Sequence, residues 1–158
     1  CNMESEVQKG EETLDLAGML KAQGELESVW RGRGMDWLLQ SVVRWSNKSD
    51  REQFITLHTP SGVVSGTLIP HKAYFKAFAD EYLGVTTGDD AEKLRDMIAA
   101  YGAPSQDEED PYDDVQFIHM RNAKFFVPGQ NPMPSNGILW RGKISAVCSF
   151  NLGRFGTD

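Results

Sequence analysis

Phe117-Ile118-His119-Met120-Arg121-Asn122-Ala123-Lys124 and, after a proline-rich stretch, Leu139-Trp140-Arg141-Gly142-Lys143-Ile144-Ser145-Ala146-Val147 decide the fold class of this chain. Val115 to Val127 reads as one strand, because β-branched and aromatic residues dominate it and no breaker interrupts it. Pro128 to Gly137 holds three prolines and reads as a loop. Ile138 to Phe155 is the last extended region, and Gly142 and Gly153 inside it mark a sharp bend or bulge and a strand end.

Working outward, Gln53 to Thr59 and Val63 to Ile69 flank Pro60-Ser61-Gly62, the pattern of a β-hairpin with a short turn. Ahead of it, Asp36 to Asn47 predicts a helix. Asp36 can cap it, and Leu38, Leu39, Val42, Val43 and Trp45 recur at helical spacing. After the hairpin, Pro70 opens a second helical pattern through Tyr74, Phe75, Phe78, Ala79, Tyr82 and Leu83, which Gly84 stops. A third runs from Asp89 to Tyr101 and ends at Gly102 and Pro104. These two are expected to pair as a helical insertion over about 70–102.

Between the insertion and the strand lie Asp107, Glu108, Glu109, Asp110, Asp113 and Asp114 with no basic residue among them. Like charges this dense resist compaction, so 104–114 reads as a solvated linker; a docking segment for a basic partner or a metal is the alternative. Calcium would want a glycine at the bend of an ordered loop, and Pro111 stands there instead. Residues 1–35 are expected to be a flexible or partly helical extension, with Leu14, Leu16, Met19, Leu20, Leu26 and Trp30 the only helical support and Gly18 and Gly24 interrupting it.

At 158 residues, 40% hydrophobic and 25% charged, the chain can bury a core as one domain. A net charge of -7 disfavours nucleic acid and anionic lipid as partners, and no apolar run is long enough to span a bilayer. Together with two cysteines poorly placed to pair, Cys1 and Cys148, this reads as a cytoplasmic protein. Cys1 itself is either an added residue before a start at Met3 or the lipidated first residue of a lipoprotein; the former is preferred.

The chemistry-bearing side chains do not assemble into a catalytic or metal motif. His58 and His119 are both mid-strand without zinc-ligand spacing, and His71 reads as lining a helix start. Cys148, in Ala146-Val147-Cys148-Ser149-Phe150, reads as a packed thiol with no base nearby to activate it. No phosphate-cradling loop or nucleophile elbow is present. The expectation is therefore a non-enzymatic α+β protein with no catalytic, cofactor or metal residues, acting through its surface.

The two C-terminal stretches, with Gly62-Val63-Val64-Ser65-Gly66-Thr67-Leu68, resemble an Sm-like small β-barrel: an N-terminal helix, a bent hairpin, a strand ending in Asn-Ala, and an Arg-Gly at the corner of the last two strands. That resemblance implies either a small, strongly bent antiparallel sheet or a closed five-stranded barrel with a helical insertion. Pro70-His71-Lys72 stands where such barrels carry the acidic residue and asparagine that read a base, so a nucleic-acid-binding module is the second reading. Over 36–155 the chain is also similar to gas vesicle accessory proteins of the GvpU type. Val64 to Ile69, Tyr74 with Phe75, the acidic break, Phe117 to Lys124, Leu139 to Ile144 and Asn151-Leu152-Gly153-Arg154 carry that similarity.

The similarity implies a minor protein of the gas-filled buoyancy organelle of some prokaryotes. Such a protein would assist vesicle assembly or clustering in the cytoplasm, as a homo-oligomer in contact with shell or assembly proteins. No cofactor is implied. Trp140, Arg141, Lys143, Arg121 and Asn122 are its signature. A structural role is preferred for them, with Trp140 buried at a strand corner, Arg141 holding a carbonyl and Lys143 in water. A binding patch is the competing reading, since Trp and Arg are enriched at interface hot spots.

Overall fold

A computed structural model describes residues 34–103 and 115–156. The expectations for the N-terminal extension over 1–33, including Cys1, and for the acidic linker over 104–114 lie outside the described residues. Within them the chain is α+β. Helix α1 (Trp37–Ser49) is followed by β1 (Gln53–Thr59), β2 (Gly62–Leu68), α2 (His71–Leu83), α3 (Asp89–Ala100), β3 (Phe117–Phe126), β4 (Met133–Lys143) and β5 (Ser149–Leu152). The strands form one antiparallel sheet in the order β4-β3-β2-β1-β5.

Asp36 starts α1 as its spacing predicts, its Oδ1 accepting from the amides of Leu38 at 2.8 Å and Leu39 at 3.2 Å. The helix lays Leu39, Val42 and Val43 on Ile55, Leu57, Val64, Leu68, Ile118, Met120, Ala123 and Ile144. Each such side chain fully removed from water contributes roughly 1.5–3 kcal/mol. The opposite stripe, Trp37, Leu38 and Trp45, stays exposed.

A bulge in one strand and a close backbone contact on each side of it bend the sheet. In β3, Asn122 takes a left-handed φ of 52° and the pairing with β4 slips between Met120 and Ala123. On one side a Cβ at Gly66 of β2 would meet Ala123 Cα at 2.9 Å; on the other, a Cβ at Gly137 of β4 would meet Asn122 Cα at 2.6 Å. Gly66 also sits where the β2–β3 register shifts, between Ser65 and Thr67. Glycine on both flanks lets the neighbouring backbones close on the bulge.

The last connection shows how far the sheet curls. A flat five-stranded sheet would hold its edges about 19 Å apart. Six steps lead from Lys143 on one edge to Ser149 on the other, and three residues, Ile144–Ala146, form a 3-10 turn. That path reaches only about 16 Å. Trp140 from one edge and Phe150 from the other accordingly pack on the same core cluster.

The sheet nevertheless does not close: of the two expected forms the bent antiparallel sheet is present, and the Sm-like closed barrel is corrected. β5 is four residues long and all four pair with β1, at Ile55 to His58, while β4 pairs only with β3. Residues 144–148 are spent crossing between the edges, with Ile144 fully buried and its amide held by Gln116 O at 2.9 Å. Two local readings are corrected as well. The loop expected to Gly137 gives way to β4 at Met133, and the Asn-Ala pair expected to end a strand forms a bulge inside one.

The second and third helices pair as expected, through Arg95 and Asp80 at 3.1 Å and a Phe75–Tyr101 ring contact at 6.0 Å. Gly102 lies so close that an added Cβ would meet Lys72 Cα at 2.7 Å. Asn47 Oδ1 accepts from the His71 amide at 2.9 Å, and Lys72 reaches Asp50 at 2.5 Å, so the end of α1 and the start of α2 are tied.

The bend can be separated from glycine's conformational freedom. Gly137 has φ +70° and a backbone in its Cβ position, whereas Gly129 has φ +78° and nothing within 4 Å. Gly129→Ala should cost about 1–2 kcal/mol in urea unfolding. Gly137→Ala should cost clearly more, about 3–5 kcal/mol, because Asn122 must also move.

Candidate functional site

The signature residues fall on both faces of the sheet. Trp140 pairs with Met120 and packs towards the core, its ring lying where a Cβ on Gly142 would stand, 2.2 Å from Cη2. Gly142 is therefore a seat for an indole and not the expected strand corner, which comes two residues later at Ile144. Arg141 pairs with His119 on the opposite face, and its guanidinium lies 3.7 Å over the Phe117 ring in place of the expected carbonyl. Lys143 is exposed at the end of β4. Arg121 is ion-paired with Glu52, and Asn122 is the bulge residue. The five do not make one patch.

His58 and His119, read from the sequence as mid-strand residues without metal-ligand spacing, lie on strands β1 and β3 with β2 between them. His58 Nε2 is 3.4 Å from Asn151 Oδ1. His119 is buried between β3 and α2, stacked on His71 with ring centroids 5.3 Å apart and planes 3° from parallel, and 4.4 Å from the Tyr74 ring. The signal available was His119 facing outward from its strand while an aromatic helix followed Pro70. What it lacked was which face that helix would cover. Cys148 is also corrected: it is exposed, in the connector where its amide donates to His58 O at 2.8 Å.

Neither ring nitrogen of His119 finds a hydrogen-bond partner among the described residues. Burial, with smaller contributions from His71 and Arg141, holds its pKa down to about 3. Tyr74 beside it is pushed up, again chiefly by burial, with Arg141 opposing. The imidazole is thus a neutral packing group joining the helical insertion to the sheet.

Away from this cluster the surface offers shallow features. A groove of about 320 Å³ runs under the end of α1, lined by Val42, Trp45, Lys48 and Arg51 among others. A second lies against the α2–α3 connection at Leu83, Thr86 and Leu94. Among the described residues no three His, Cys, Asp or Glu gather as a metal site, and no helix is long and apolar enough to cross a membrane.

A protein-family profile for gas vesicle proteins described as GvpU-like matches residues 36–155. The chain belongs to this family. The matched GvpU-like region begins at the α1 cap and ends just beyond β5, so it takes in the helix, the five strands and the helical insertion together. No curated protein and no solved structure gives a match. The chain is therefore a gas vesicle-related protein, with the curled open sheet as its framework.

Because His119 has a folded pKa near 3 against an ordinary 6.5, the unfolded chain takes up its proton first. Its contribution to stability is complete above about pH 6.5 and falls by up to about 1.4 kcal/mol per pH unit below that, towards pH 3. Urea unfolding at pH 7.5, 6 and 5 should show this acid slope, and His119→Leu should flatten it.

Proposed function

We propose that this GvpU-like chain is a non-enzymatic accessory protein that assists the assembly or clustering of gas vesicles in the cytoplasm by binding shell or assembly proteins. The observation that carries the reading is the family match over residues 36–155, most of the chain. The surface supports it. Trp37 and Trp45 on α1 are 69% and 63% exposed, an unusual placement for two indoles on one helix, and exposed apolar patches of this kind accompany protein contacts. The open edges of β4 and β5 leave the sheet able to add strands, which supports self-association and, through it, avidity for a repeating shell.

Flotation tests this directly. The purified chain mixed with intact gas vesicles should rise with them, and Trp37→Ala/Trp45→Ala should lower the amount that rises by at least about fivefold, in line with hot-spot tryptophans. A wild-type chain that stays in solution would overturn the reading.

A further inference from the structure

The charge of the chain is unevenly distributed. Its net -7 belongs to the whole sequence, yet the five strands carry Arg121, Lys124, Arg141 and Lys143 and not one Asp or Glu. Arg154, just past β5, adds a fifth cation. The described residues together hold twelve Lys and Arg against nine Asp and Glu, so they are net positive by three.

Two of the sheet cations, Arg121 and Lys124, share a face in adjoining rows, and Arg154 joins them from beyond β5. Phe54 pairs with Thr67 and Thr67 with Arg121, so these stand in one line across β1, β2 and β3. Arg154 caps one end of that line, its guanidinium 3.8 Å over the Phe54 ring. Lys124 stands in the next row, opposite Ser65. The tail after β5 lies over this second row, with Gly153 O accepting from Thr56 Oγ1 at 2.9 Å and the Phe155 amide donating to Ser65 Oγ at 2.9 Å. Phe54 to Arg121 spans two strand spacings, about 10 Å. Among the described residues Glu52 is the carboxylate that meets this row, paired to Arg121.

From this arrangement we infer that the outer face around Phe54, with Arg121, Lys124 and Arg154, docks an acidic polypeptide segment. This deepens the proposed function, on which it rests, by naming the chemistry of the partner surface. Three cations about 10 Å across match a short run of carboxylates. A nucleic acid fits less well. Three cations are few beside the about six to ten phosphate contacts that give strong backbone binding, and one face of each nearby ring is already taken by a guanidinium, Phe54 by Arg154 and Phe117 by Arg141. The chain's own 107–114 shows the kind of sequence that would serve, with six carboxylates in eight residues.

The test uses the full chain and a fluorescent ten-residue oligoglutamate, with oligouridylate of equal charge alongside. Oligoglutamate should bind at about 50 mM NaCl and weaken tenfold or more at about 500 mM. Arg121→Glu/Lys124→Glu/Arg154→Glu should weaken it at least tenfold, while Arg44→Glu/Lys48→Glu on α1 leaves it within twofold. Gln at the same three positions, with melting unchanged from wild type, guards against a folding defect and should still lose most binding. Equal binding by the Gln variant, or tighter binding of oligouridylate, would overturn the inference. A chain that rises with vesicles yet ignores oligoglutamate would sink this inference alone and leave the proposed function standing.

Discussion

The sheet depends on how closely three strands approach at Asn122. Its left-handed φ puts an extra residue into β3, and the chains on either side can follow only because Gly66 and Gly137 present no Cβ there. The resulting curl brings both edges of the sheet over a single cluster, on which helix α1 packs. A flat sheet of the same strands would need a second layer along its whole width.

The curl also divides the labour between faces. The concave side buries aliphatic residues under α1, while the convex side takes the helical insertion at His119 and the C-terminal tail at Thr56 and Ser65. Between these two covers Arg121 and Arg154 are exposed and Lys124 is half-buried. The insertion packs on the sheet through rings: Tyr74, Phe75 and His71 surround an imidazole kept neutral by burial.

The elements themselves were legible in the sequence because each had a local signal: Asp36 and a helical stripe for α1, Pro-Ser-Gly for the hairpin, Pro70 and Gly84 bracketing α2. What failed were features set by contacts between distant strands. Pro132 and Pro134 read as a loop, since nothing local says that Met133 pairs with Phe125. Gly142 read as a bend, although its role is to receive the ring of Trp140. Closure of the barrel was inferred from likeness in the strands, yet it turns on whether two edges meet. Net charge misled in the same way, for a whole-chain sum conceals a carboxylate-free sheet.

The long free edge also limits how such a molecule can polymerise. Pro134 supplies no amide hydrogen near the start of β4, and Gly137 turns the strand out of line at φ +70°. An incoming chain would therefore find a continuous template only along Ile138 to Lys143, about 20 Å of backbone. So short a landing strip would favour discrete, reversible joins over runaway fibre growth.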